Sequence, residues 1–218
     1  MVFHPKPGEH GKPVKLSKPS TPTPLDAWAD PNAFAQVVPQ GPMPEHINGV
    51  PISSWTDAPT TNEGWEALVS NLNFEEPDFK PVAGLKPAAG VVTVEPDGRV
   101  WAFAPSNAYG GYTATFPKGR LDGLSTRAAA IKEAYEETGL RVELIGFLVD
   151  VLRTTTCSRY YLARRIGGNP ADMGWEAQAV MLLPAASTAS IIDHPSDKPI
   201  LKALSHAPLT LQPCGQGS

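Results

Sequence analysis

Cysteine is nearly missing from this sequence: Cys157 and Cys214 are the only two in 218 residues. Two thiols can build neither a disulfide framework nor a four-ligand zinc finger. No stretch approaches the roughly 20 consecutive apolar residues that a membrane-spanning helix requires. Residues 1–20 also lack the apolar segment of a secretory leader. An excess of basic charge is absent too, because 18 Lys and Arg stand against 22 Asp and Glu. The resulting net charge of -4 offers no support for a nucleic-acid partner, which is normally held by a basic surface. No P-loop, Rossmann glycine pattern, H-E-x-x-H or G-x-S-x-G is present, so those chemistries drop out. The chain reads as a globular protein without a membrane partner, expected in the cytoplasm.

Proline, by contrast, is in excess: half of the 24 prolines lie in residues 1–60. Each removes a backbone donor and pushes its predecessor toward extended geometry, so no regular element can run long there. Residues 1–24 have no aromatic after Phe3 and mix Lys, Ser and Thr. They are predicted to be a disordered Pro-rich arm that contributes nothing to a site. Residues 25–84 then gain Trp28, Phe34, Trp55, Trp65 and Phe74, too much apolar bulk for a solvated linker. This stretch is predicted to be an irregular N-terminal extension packed on the main domain. The main domain follows at 85–206, with a flexible tail at 207–218.

Within the main domain, residues 88–95 are β-rich, Pro96-Asp97-Gly98 is a turn, and residues 99–104 return as a hairpin strand. A short strand at 112–116 and a loop at 117–124 lead to Ser125, a good N-cap. The helix predicted over 126–138 stops at Gly139. Strands are predicted at 141–152, 157–165 and 177–183, with short helices near 185–192 and 197–205. Strands and helices interleave without a βαβ repeat, so the fold class is α+β with a mixed sheet.

The chemistry concentrates on that helix. Glu133, Glu136 and Glu137 sit at i, i+3 and i+4 and share a face. Their mutual repulsion would become attraction around a hard divalent cation. On spacing alone, a solvated acidic face fits equally well. The surrounding residues add more. Gly119, Glu133, Ala134, Glu136, Glu137, Gly139 and Leu140 resemble the Nudix box, G-x5-E-x7-R-E-U-x-E-E-x-G-U with U aliphatic. The strand 88–95 and the approach Thr115-Phe116-Pro117-Lys118-Gly119 are similar to the family's flanks. The resemblance covers residues 86–206 and implies an α/β/α sandwich around the mixed sheet, preceded here by the Pro-rich extension.

The resemblance implies a Mg2+- or Mn2+-dependent hydrolase cleaving a pyrophosphate bond in a nucleoside diphosphate linked to another moiety. Glu136 and Glu137 would be the chief metal ligands, and Glu133 a further ligand or the base that orients water. The Gly119 carbonyl would complete the shell, with Glu176 as an additional acid from beyond the box. Lys118 and Arg120 flank the box glycine and would lie near bound phosphate, with Lys118 also acting on the reacting charge. Arg159 could bind substrate or face solvent, and Tyr161 could stack on a base or belong to the core. Three departures stand out: Leu124 replaces the first box Glu, Lys132 replaces the box Arg, and the loop after Gly119 is one residue short. Asp122 could return a carboxylate to that loop. A different class therefore also fits: a catalytically weak Nudix-fold module that senses a nucleotide or binds a partner. The oligomeric state is not readable from the residues.

Overall fold

The computed structural model describes residues 2–207. Its strands are β1 (Val2–Phe3), β2 (Lys15–Leu16), β3 (Ala35–Val37), β4 (His46–Ile47), β5 (Val50–Pro51), β6 (Lys86–Val94), β7 (Val100–Pro105), β8 (Lys118–Arg120), β9 (Leu140–Leu152), β10 (Thr156–Gly168) and β11 (Ala177–Leu183). The α-helices are α1 (Asn62–Ala67), α2 (Thr126–Thr138), α3 (Ala185–Ile191) and α4 (Lys198–Leu204). Seven strands form one sheet in the order β3-β11-β7-β6-β10-β9, with β8 attached to β6. Only β6 and β10 run parallel; the other pairings in the sheet are antiparallel. The class is thus α+β with a mixed sheet, as the interleaved pattern predicts. No helix among the described residues is long and apolar enough to cross a membrane.

The predicted hairpin of β6 and β7 is paired at only one register, Val94 with Val100. Beyond it the two strands diverge, and residues 115–120 enter the gap. Thr115 bridges Phe103 on one side, while Lys118, Gly119 and Arg120 pair with Gly90, Ala89 and Ala88 on the other. The sequence suggests a loop at 117–124, because three residues carry too little periodicity to announce a strand. Gly90 permits the insertion: a β-carbon there would overlap the Pro117 carbonyl and the Lys118 side chain.

The helix forms over its predicted span. The Ser125 hydroxyl caps it by accepting from the Ala128 amide at 3.2 Å, and Gly139 at φ 69° ends it. Ala128, Ala129, Ala130 and Ala134 are fully buried, so this thin face seats the helix closely on the sheet. That face of the sheet also holds Tyr161 and Ala163. The opposite face packs Phe116, Tyr160 and Leu162 with Ile192, Ile200 and Leu204 from the C-terminal helical region.

The N-terminal extension packs into the α2 side of the core. Trp28 stacks on Trp101 at 5.9 Å, and Trp55 meets Tyr135 edge-on at 5.1 Å and Trp65 at 5.7 Å. Strand β3 adds to the sheet edge at β11. Polar contacts join the same interface. Arg127 of α2 is held by Glu76 at 2.8 Å and by the Leu72 and Phe74 carbonyls, each at 3.0 Å. Glu66 accepts from the Ser125 amide at 2.5 Å and from its hydroxyl at 2.9 Å, so the extension covers the helix N-terminus. Inside the core, Arg165 pairs with Glu95 at 2.5 Å, and the extension satisfies both partners. Ile47 supplies a carbonyl to Arg165 at 2.7 Å, and Asn48 donates to Glu95 at 3.0 Å.

Residues 2–24 differ from the expected disordered arm. Strands β1 and β2 pair with each other, and His4 and Leu16 are buried. Asn107 anchors the arm by donating to the Lys15 carbonyl at 2.8 Å and accepting from the Ser17 amide at 2.7 Å. The Lys6 ammonium donates to the Asp172 carbonyl. Composition missed this because the anchors are backbone groups, which any residue type supplies. Apart from Ala207, the predicted flexible tail lies outside the described residues.

Leu124 is 6 % exposed and belongs to the α2-side core. A carboxylate there would lose its water inside an apolar cluster. Leu124→Glu should therefore destabilise the protein by at least about 2 kcal/mol, read by urea unfolding, and should not improve a metal site. Trp55→Ala removes the hub of the aromatic cluster and should cost about 3–5 kcal/mol in the same measurement. Loss of less than about 1 kcal/mol would mean that the extension adds little to the core.

Candidate active site

The predicted acidic face of α2 divides in the folded chain. Glu133 and Glu137 turn toward β8 and are almost fully buried, whereas Glu136 is 48 % exposed. The Lys118 amide donates to Glu137 Oε2 at 2.7 Å. The Glu133 carboxylate occupies the space where a side chain on residue 119 would lie, so any other residue there would displace that carboxylate. Glu136 instead pairs with Lys132 one turn back, at 2.7 Å. The lysine in the box Arg position thus holds a box carboxylate, though by one ammonium contact and not a planar fork.

Burial and crowding shift the protons. Glu133 is pushed up to about 8, chiefly by burial, with Glu136 and Glu176 adding repulsion against the pull of Lys132 and Lys118. Glu137 is held well above the usual carboxylate range by burial and by Glu133, which outweigh Lys118. Glu176 is raised as well, by burial and then by repulsion from Glu136. These carboxyls therefore form one electrostatic group around Lys118. The charge they need is positive.

Glu176 reaches this group through its backbone. The Gly174 amide donates to the Glu136 carbonyl at 2.7 Å, and a β-carbon on Gly174 would overlap that carbonyl. Ser106 fixes the other side, its amide donating to the Glu176 carbonyl at 2.7 Å and its hydroxyl to the Trp175 carbonyl at 2.7 Å. Neither Gly174 nor Ser106 sits in a readable motif. Gly90, however, carried a usable signal, since glycine inside a strand often marks a close backbone approach.

Among the described residues, no three His, Cys, Asp or Glu side chains converge tightly enough to enclose a metal ion. The donors available to one are nonetheless suitable. Two adjacent buried carboxylates and a third at the rim form an all-oxygen set, which suits a hard divalent cation. Recruiting Glu136 would require its release from Lys132.

The substrate residues expected on β8 and β10 separate. Lys118 is half-buried, its amide held by Glu137 and its Cβ on the Tyr160 face of the sheet. Arg120 is exposed two residues further along β8, on the same side by strand alternation. Arg159 and Tyr161 do not open to the acidic group. Arg159 is 2 % exposed; Asp150 accepts two of its hydrogen bonds, at 2.8 and 2.7 Å, and the Pro77 carbonyl accepts another at 2.8 Å. The rings of Phe79 and Phe147 each lie 4.9 Å from its guanidinium. Tyr161 is fully buried, its hydroxyl 2.6 Å from that of Thr126 and its ring edge-on to Phe74. Arg159 is saturated by β9 and the extension, and Tyr161 by α2 and the extension. The cause is the face they occupy, which residues 72–79 cover and which β10 alone could not reveal.

The NUDIX domain family model matches residues 84–204, more than half of the chain. RNA pyrophosphohydrolases from two strains of Caulobacter vibrioides are 36 % identical over 96 residues, 43 % of this chain and 52 % of theirs. The chain therefore spans about half the length of the curated relatives it matches. Among solved structures, a C. elegans Ap4A hydrolase binary complex aligns at 21 % identity and TM-score 0.45, over 54 % of this chain and 95 % of that one. An ADP-ribose pyrophosphatase from Streptococcus suis aligns at 18 % identity and TM-score 0.44, over 56 % and 93 %. With the box residues gathered on α2 and β8 and the family model spanning both, the chain belongs to the Nudix family.

Proposed function

We propose that this protein is a Mg2+- or Mn2+-dependent hydrolase that cleaves a pyrophosphate bond in a nucleoside diphosphate linked to another moiety. The observation that carries the reading is the buried pair Glu133 and Glu137, pressed against Lys118 and Gly119 and lacking sufficient positive charge. The name of the Caulobacter relatives supports a pyrophosphate bond as the target. When bound, a divalent ion would supply Lewis acidity and lower the pKa of a coordinated water.

The chain's own residues would do the rest. Glu133, Glu136 and Glu137 would hold the ion with the Gly119 carbonyl, and Glu176 would stand as an added acid at the rim. As the alternative to ligating the ion, Glu133 would be the base that orients the attacking water. The Lys118 ammonium would face the charge that builds as the bridging bond breaks, and Arg120 would meet the outer phosphate. A second reading, a catalytically weak nucleotide-sensing or partner-binding module, draws support from the Lys132–Glu136 pair and from Leu124. Metal titration with a panel of diphosphate compounds separates the two.

Glu137→Gln should remove turnover while leaving the metal-free melting temperature unchanged or slightly higher, since the neutral amide needs no counter-charge. Wild type at a metal concentration 100 times its Kd should gain about 2.7 kcal/mol of stability, and the variant should lose that gain. Full activity in the variant would sink the site assignment. Lys118→Ala should lower kcat by about 10²–10³. An unchanged rate would move the cationic role to Arg120, which the matching Arg120→Ala kinetics would reveal.

A further inference from the structure

A cavity of about 700 Å³ lies on the face of the sheet opposite α2, its lining residues Pro105 and Asn107 flanking Ser106, whose amide holds the Glu176 carbonyl. Its floor comes from β7, β11 and the segment 107–114, with Met181 and Ile191 among the lining side chains. Its outer wall comes from residues 17–36, which precede the family domain at 84–204. Two anchors hold that wall in place. Asn107 binds the backbone at Lys15 and Ser17, and β3 sets Gln36 opposite Met181 in the sheet.

We infer that this cavity receives the base of the nucleoside moiety, and that the N-terminal arm acts as a specificity element for it. The inference rests on the hydrolase reading above for the position of the phosphates. Pro105 pairs with Ala177, so the cavity begins where the Glu176 loop ends. Gln178 lies two residues beyond Glu176, at the irregularity in β11 between Ala177 and Ala179. A nucleotide could therefore place its phosphates at the acids and its base in the cavity.

The lining chooses among ligand classes. Phe34 offers an exposed aromatic ring. Tyr112, with the His194 ring 3.9 Å away and Arg153 on its hydroxyl, adds a fixed ring to a mostly apolar wall, which suits a planar heterocycle. Two amides complement a base edge. Gln36 spends its nitrogen on the Thr21 carbonyl, leaving its oxygen as an acceptor. Gln178 accepts the Asn107 amide at 3.3 Å, leaving its nitrogen as a donor. No Asp or Glu lines the cavity, so a cationic ligand would find no counter-charge. Lys18 at the wall makes no ion pair among the described residues.

The test uses the full chain labelled with 13C at its methionine methyls, the Met181 signal being assigned through Met181→Leu. AMP and GMP should shift that signal, and ribose 5-phosphate, which has no base, should not. Ser20→Trp places an indole in the cavity wall outside the family domain. It should lower kcat/KM for a nucleoside-diphosphate sugar at least tenfold relative to kcat/KM for 5-phosphoribosyl 1-diphosphate. A Met181 signal indifferent to both nucleotides overturns the inference, whatever the turnover. An unchanged ratio of the two kcat/KM values also overturns it, with the hydrolase reading intact. A base-dependent Met181 shift in a protein that cleaves no diphosphate supports the cavity and overturns only the hydrolase reading.

Discussion

The structure depends on how closely α2 can approach the β6–β8 pair. The Pro117 carbonyl fills the side-chain space of residue 90, which must be glycine. The Glu133 carboxylate fills that of residue 119, where a larger residue would push the carboxylate aside. Four buried alanines on α2 remove the side-chain thickness that would otherwise separate helix from sheet. The acids are thereby pressed into a poorly hydrated layer, where their charged forms are costly. Close packing and the demand for a counter-charge thus have one origin. A looser helix would leave the same carboxylates solvated and ordinary.

The second organising feature is the extension, which the family domain does not include. Its tryptophans complete the core on the α2 side, and its polar groups satisfy charges that would otherwise be buried alone. Arg127, Arg159 and Arg165 all receive partners from residues 47–77. Glu66 contacts the N-cap of α2 next to Leu124, where the box pattern has a carboxylate. The domain has internalised Leu124 as apolar core and draws a nearby carboxylate from α1 instead. An unpaired buried arginine is strongly unfavourable, so the extension and the sheet arginines depend on each other.

On the opposite face, the arm brings backbone and amide groups to a cavity edged by β7 and β11. The divergence of β6 from β7 matters for both faces. It admits residues 115–120, which carry Gly119 to the acids on one side and Phe116 to the second core on the other. One imperfect hairpin therefore positions the candidate site and helps frame its neighbouring cavity.

Local chemistry was sufficient for much of this chain. Ser125 and Gly139 mark the ends of α2 because capping depends on a few adjacent residues. The spacing of Glu133, Glu136 and Glu137 states which of them can share a face, and the surrounding motif is similar enough to the Nudix box to identify the family. Tertiary structure decided the remainder. Glu136 turns out to Lys132 while its neighbours turn in, because the helix is rolled against β8 and not centred on its acidic stripe. Arg159 and Tyr161 are taken by the core since residues 72–79, distant in sequence, cover that face of β10. The arm's order escaped composition because its anchors are backbone groups meeting Asn107, about 90 residues away. Such contacts leave no periodic trace, so the sequence by itself determined the central helix, the longer strands and the motif, while packing decided the short strands and which side chains remain free to act.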